Sequence, residues 1–317
     1  MVSIKVDNLQ KFTSEVLRQK QQDGLRALSS AMSSPVGISQ EAAMAVKNNF
    51  IGLNRANANK CVLYPREIND LAKEMHQAGL NEFTGQFDYF SELFKDVPGT
   101  LTGRVKGIPS ICAKLNRPTT RIHLNNSDEG LFTNAMNCVP DLVGFRFILK
   151  NGTPEEVQAF YNRYIKAVKD GQIQPSHFFN YGKNPYLTNQ MCEELAEQGF
   201  RYNLNKKPSG FTSTNTYFYN PNNVKMEMQL QGPHVARVCN KEHPIYNYVT
   251  RGAATDNGVL LGQINDALKL LDVTKMNGLI RYNSNCYDYA RALELGIQCE
   301  KPYFPVVLNP VLKLVSF

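Results

Sequence analysis

In the stretch RVKGIPSICAKLNRP (104–118), Arg104 and Lys106 stand two residues apart, and Ser110 and Lys114 stand four apart. The first spacing places two cations on one face of a strand, and the second places a hydroxyl and a cation on one face of a helix. Thr102, Arg104 and Lys106 alternate with Leu101, Gly103 and Val105, which predicts a strand with one polar face that Gly107 and Pro109 end. Ser110 is expected as the N-cap of the helix that follows. Strand, turn and helix N-terminus would then gather three cations and a hydroxyl, a pocket suited to polyphosphate, although basic residues on a solvated strand face are also common.

Two carboxylates stand in apolar surroundings, where an ion is costly unless it is paired or bound to a metal. They are Asp141 in DLVGFRFILK (141–150) and Glu227 in VKMEMQL (224–230). Brought to one sheet edge they would suit Mg²⁺, which favours one or two carboxylates together with substrate phosphates. The plainer reading pairs Asp141 with Arg146 and Glu227 with Lys225. Strand parity speaks against the first of these pairs, because Asp141 and Arg146 are an odd number of residues apart.

Other chemistries are not signalled. The five histidines form no H-x-x-x-H or H-D pair, and the seven cysteines contain no C-x-x-C, so neither a two-histidine metal site nor a zinc or disulfide framework is indicated. There is no G-x-x-x-x-G-K-[ST], no G-x-G-x-x-G and no serine-nucleophile motif. With 42% hydrophobic and 20% charged residues, the 317-residue chain can bury a sizeable core and is not a disordered tail. A net charge of +7 favours anionic partners without choosing among them. No apolar run approaches the roughly 20 residues that span a bilayer, so the expectation is a soluble protein of a reducing, cytoplasmic compartment with no membrane partner.

The elements that must position these residues follow from periodicity. Residues 1–95 read as helical, from Leu9, Phe12, Val16 and Leu17, and then from Ile68, Leu71 and Met75 after the helix-starting Pro65. Residues 141–150 read as a buried strand and 155–171 as an amphipathic helix ending at Gly171. In 224–230, Val224, Met226, Met228 and Leu230 point one way and Lys225, Glu227 and Gln229 the other, with GFTSTNTYFYN (210–220) as hairpin partner across the turn PNN. The tail 251–317 reads as mainly helical, with a helix at GQINDALKLLDV (262–273).

Taken in order, R-x-K-x-x-x-S-I-x-x-K (104–114), DLVGFR (141–146), KPSGFTS (207–213), MEMQL (226–230) and EHPIYN (242–247) resemble the synthetase domain of the RelA/SpoT family of alarmone synthetases. The layout is most like that of the single-domain small alarmone synthetases, and the likeness covers residues 100–250. It implies an α/β (α+β) nucleotidyltransferase-like fold, a mixed sheet flanked by helices, with helical regions at 1–95 and 251–317. It also implies transfer of the β,γ-pyrophosphate of ATP to the 3′-hydroxyl of a purine nucleotide, GDP or GTP first, with Mg²⁺ and release of AMP.

By the same resemblance, Arg104, Lys106, Ser110 and Lys114 would bind ATP, and Asp141 would hold magnesium. Arg146 matches the arginine of the same strand motif, and Glu227 would complete the metal site or activate the acceptor hydroxyl. Tyr202, Lys207, Gly210, Phe211, Ser213, Asn215 and Gln229 fall on the acceptor side, where an aromatic ring stacks on the purine. The departures cluster there too: Asn215 stands where the family usually has His, Phe211 where it has Tyr, and Gln231 where an Arg commonly follows the E-x-Q pair. No HD hydrolase motif precedes the synthetase motifs, so the expectation is a chain that makes but does not break its product.

These departures leave ADP or ATP, or a tRNA 3′ end, as alternative acceptors, in a toxin or secreted effector acting in a target cytosol. A catalytically inactive nucleotide-binding regulator is disfavoured, because both carboxylates and all four donor residues are present. A plain polyanion-binding module rests on charge alone. Oligomeric state is not written in the motifs.

Overall fold

The computed structural model describes residues 65–117, 120, 124, 130–181, 187–205, 210–251 and 259–315. The helical expectation for 1–64 and the acceptor-side Lys207 lie outside the described residues. The fold is α+β: a mixed six-stranded sheet flanked by helices, in the order β1-β2-β6-β5-β3-β4. Its strands are β1 (Gly99–Val105), β2 (Val143–Leu149), β3 (Gln174–Tyr181), β4 (Arg201–Asn205), β5 (Ser213–Tyr219) and β6 (Lys225–Gln231). β2 and β6 run parallel, as do β3 and β4, while β1/β2, β5/β6 and β3/β5 are antiparallel.

One face of the sheet is packed by aromatic side chains. Helix α1 (Pro65–Leu93) starts at the expected proline, buries Ile68, Leu71 and Met75, and lays Phe83, Phe87 and Phe90 against Phe145 of β2. A Cβ at Gly103 would approach Phe83 to 2.8 Å, so this position of β1 is small because a ring lies against it. After β1 come, among the described residues, the short helices α2 (Ile108–Leu115) and α3 (Leu131–Cys138). Helix α4 (Pro154–Lys169), capped by the Thr153 hydroxyl, covers the same face further along. There Tyr161 donates to Thr214 and the Thr216 hydroxyl donates to Tyr164, each at 2.8 Å, so two buried polar pairs are satisfied across the helix–sheet contact. Burial pushes both phenols well above their ordinary pKa.

The β5–β6 hairpin is as its alternation predicts, with Met226, Met228 and Leu230 in the core and Asn223 adopting a left-handed φ of 61° in the turn. Helix α5 (Asn189–Glu197) lies between β3 and β4. Beyond the sheet run α6 (Pro233–Arg251), which carries Pro244 inside it, α7 (Val259–Lys269) and α8 (Val273–Glu294), followed by a 3₁₀ turn at Pro310–Val315. The helix expected over 262–273 therefore stops at Lys269. Asp272 instead caps α8, accepting from the Lys275 N–H at 2.8 Å. Among the described residues, no helix is long and apolar enough to cross a membrane.

Candidate active site

The face of the sheet opposite α1 and α4 carries the polar residues, and register fixes which of them share a row. Arg104 pairs with Gly144, Gly144 with Glu227, Glu227 with Tyr217, and Tyr217 with His177. Partners in register point to the same face, so Arg104 and Glu227 look out from the same row with only a glycine between them. The neighbouring row is Thr102, Arg146, Gln229, Asn215 and Phe179.

At one end of these rows lies an ionic cluster. Lys106 Nζ stands 2.9 Å from Asp141 Oδ2, and Lys114 Nζ stands 2.5 Å from Oδ1. Two expectations are corrected here. Lys106 does not sit on the solvated face of β1: it follows the strand, its amide donates to Leu142 O at 2.7 Å, and its side chain is buried. Asp141 lies in the turn before β2 rather than in the strand, and it pairs with the two lysines, not with Arg146. Lys114 flanks the buried Ile111–Leu115 stripe of α2, one turn on from Ile111, so its stem is partly covered and its ammonium reaches Asp141.

The expected cap is corrected as well. Gly107 occupies the N-cap of α2, and Ser110 is a half-buried residue of the first turn whose amide donates to Gly107 O at 2.9 Å. Arg104 remains exposed on the strand, close enough to depress the Lys106 ammonium.

Burial raises the Asp141 carboxyl, but the charges and hydrogen bonds of Lys114 and Lys106 together outweigh it and hold the group at about 2. Lys106 is lowered, by burial first and by Lys114 and Arg104 beyond that, with Asp141 opposing. Two ammonium groups thus stand against one carboxylate, with Arg104 near Lys106, an arrangement with positive charge to spare for an anion.

The second carboxylate is held differently. Glu227, only 8% exposed, accepts from Asn215 Nδ2 at 2.8 Å, from the Tyr217 hydroxyl at 2.7 Å and from Gln229 Nε2 at 3.0 Å. It forms no ion pair with Lys225 or with any other cation among the described residues. Its charge is hydrogen-bonded but not neutralised. Burial, and next to it the charge of Glu227, drive the Tyr217 phenol well above its ordinary value, with Asp141 contributing from the neighbouring cluster. Tyr181 is likewise pushed up to about 12 by burial and by Glu227. Arg146 bridges β2 to β6 and α6, donating to Gln229 Oε1 at 3.1 Å and to Asn240 Oδ1 at 2.7 Å.

The structure brings Arg104, Arg146, Asn215, Glu227 and Gln229 to one face of the sheet, while Lys106, Ser110, Lys114 and Asp141 lie beyond the strand ends, where β1 leads into α2 and where the chain turns into β2. Ser213 is buried at the start of β5, its hydroxyl 3.5 Å from Leu230 O, and Gly210 and Phe211 lead into it. Tyr202 is not brought there. It is in register with Phe178 on the α4 side of the sheet, the two rings stacked at 5.6 Å. Tyr217 is the residue that sequence reasoning missed, and the signal was present: it stands two residues beyond Asn215 on a strand paired in register with 224–230.

No family model matches the chain, and no curated protein matches it. Among solved structures it is similar to the small alarmone synthetase 1 from Bacillus subtilis, at 15% identity and a TM-score of 0.40, covering 70% of this chain and 90% of that one. It is similar to a GTP pyrophosphokinase family protein from Streptococcus pneumoniae at 14% identity and a TM-score of 0.37, covering 71% of this chain and 96% of that one. The Bacillus subtilis enzyme bound to its product pppGpp gives 14% identity and a TM-score of 0.37, over 71% and 95% of the two chains.

Proposed function

We propose that the chain is an ATP pyrophosphotransferase that moves the β,γ-pyrophosphate of ATP to the 3′-hydroxyl of a purine nucleotide, GDP or GTP, and releases AMP. The observation that carries this reading is a cation-rich cluster at Asp141, three residues before the Gly144 that pairs in register with Glu227, next to a buried Glu227 carboxylate that has no ion-pair partner among the described residues. A polyphosphate donor suits the first, and an acceptor hydroxyl suits the second.

Lys106 and Lys114 hold the donor phosphates, and Asp141 keeps the two ammonium groups in place. Arg104, exposed at the edge, reaches the nucleotide from outside. Glu227 takes the proton of the attacking hydroxyl, its carboxylate oriented by Asn215, Tyr217 and Gln229, while Arg146 fixes Gln229 from the other side. Little covalent chemistry is asked of the protein, and rate comes from in-line positioning and from charge complementarity to the transferred group.

Glu227 is the carboxylate of this set that suits Mg²⁺, whereas Asp141 would reach the ion only as Lys106 and Lys114 turn from its two oxygens to the donor phosphates. Glu227 is buried and lacks a cationic partner among the described residues. When bound there with the donor phosphates, the ion would offset charge on the β,γ-pyrophosphate.

Purified protein incubated with ATP, Mg²⁺ and each of GDP, GTP, ADP, ATP and tRNA tests the reading, with products identified by mass. The expected product is a guanosine nucleotide carrying two further phosphates, together with AMP. Modification of tRNA alone would replace the acceptor assignment, and absence of AMP with every acceptor would remove the enzymatic reading.

A further inference from the structure

We infer that α8 is the positioning element of the acceptor loop, with Tyr287, itself held by Glu242 of α6, setting the ring of Phe211. This rests on reading residues 210–215 as the acceptor side. The loop touches α8 along its length. Gly210 has a φ of +77°, and a Cβ there would lie 2.6 Å from the Cα of Ser284, so the loop backbone runs directly against the helix backbone. Phe211 meets Tyr287 edge to face at 6.1 Å and tilts against Tyr181 at 5.6 Å. Thr212 accepts a hydrogen bond from Arg291 Nη1 while its hydroxyl donates to Gly210 O at 3.0 Å.

Behind this contact the helix is anchored. Tyr287 is fully buried, and its hydroxyl donates to Glu242 Oε2 at 2.9 Å, with Glu242 only 4% exposed. At the far end of α8, Glu294 Oε1 accepts the N–H groups of His234 and Val235, both at 2.9 Å, and so closes the first turn of α6. Gly232 leaves room for that carboxylate, since a Cβ there would meet Glu294 Oε1 at 2.2 Å. One line of contacts therefore runs from Glu242 through Tyr287 to Phe211 and on into β5, which carries Asn215 and Tyr217 to Glu227. The C-terminal region thereby shapes the acceptor subsite and leaves the Lys106–Lys114–Asp141 cluster untouched.

Two variants of the full chain test this, Tyr287→Ala and Arg291→Met, the second keeping the buried core should the first fail to fold. Steady-state kinetics with GDP and ATP should show the acceptor KM raised about tenfold, the scale of a lost stacking ring, with the ATP KM within about twofold of wild type. Amide hydrogen exchange at residues 211–213 should quicken in both variants while β2 amides keep their protection. Unchanged exchange at 211–213 overturns the inference whether or not the protein turns over. Turnover with ATP and acceptor KM raised equally overturns it too and leaves the proposed function standing. Absence of transfer by wild type, with exchange quickened as expected, removes the proposed function and supports the coupling of α8 to the loop.

Discussion

Asp141, in the turn before β2, and Glu227, on the neighbouring strand β6, are both carboxylates of the candidate site, yet Asp141 is clasped by two ammonium groups while Glu227 is surrounded by an amide on either side and a phenol. In the first case charge is cancelled, and the excess belongs to the cations. In the second the shape of the carboxylate is fixed while its negative charge stays available. Burying a charge against neutral donors alone is costly, and such an arrangement is kept where a proton or a cation must arrive. The Asp141 side is therefore a cation-rich cluster drawn from the end of β1, α2 and the turn before β2, whereas the Glu227 side is a carboxylate held by neutral donors on β5 and β6.

Changing Glu227 to Gln should have the largest effect. It keeps the shape and removes the charge, so transfer should fall by roughly 10²–10⁴-fold, the range of a lost general base, with the circular dichroism spectrum unchanged. Near-native turnover would remove Glu227 from the chemistry. Chelation of Mg²⁺ should stop wild-type turnover and leave the fold intact.

Lys106→Ala comes next, and its effect should be on stability as well as rate. The lysine is almost fully buried against Asp141, and breaking such a pair costs about 3–5 kcal/mol when one charge is stranded, less here because Lys114 remains. Chemical denaturation measures this, and a loss below about 0.5 kcal/mol would show that Lys106 is not a partner in solution.

The pH dependence separates the two sides further. Asp141 is held at about 2, below its ordinary value. The stability it contributes is present above the unfolded pKa near 4 and is lost as pH falls from there through about 2. Asp141→Asn should remove that acid leg from the stability–pH curve, whereas an unchanged curve would place the acid sensitivity elsewhere.

Tyr217→Phe should be milder. It deletes one of three donors to Glu227 and should cost about 1–2 kcal/mol in kcat/KM, borne by kcat rather than by the ATP KM. The smallest change in stability should come from Arg104→Ala. An exposed strand residue changes stability by no more than about 0.5 kcal/mol, while the ATP KM rises and the acceptor KM stays put.

The donor side was the more legible in the sequence because its members are close along the chain. Arg104 to Lys114 lie within two short elements, and only Asp141 comes from beyond them. Even so, alternation put Lys106 on a solvated face, because period-two reasoning continues a strand past the residue where the chain turns inward. The β5–β6 hairpin was readable for the same local reason, and its parity placed Glu227 on the open face. Strands β3 and β4 were not anticipated. Gln174–Tyr181 has a register shift between Pro175 and His177 and a mixed polar and aromatic content that gives no clean alternation. Resemblance to the family puts Tyr202 on the acceptor side, but a parallel β3–β4 pairing puts it on the α4 side. The contact of Tyr287 with Phe211 had no local signal, since it depends on how α8 packs on the loop.

If a pyrophosphate group crosses from the donor cluster to a hydroxyl held by Glu227, the fate of each phosphate of ATP is fixed. ATP labelled at the γ-phosphate and, separately, at the α-phosphate should be incubated with protein, Mg²⁺ and GDP or GTP, and both labels traced in the products. The γ-label is expected on the acceptor and the α-label in AMP alone, with both events lost in Glu227→Gln. Release of ADP in place of AMP, or α-label on the acceptor, would contradict the proposed transfer.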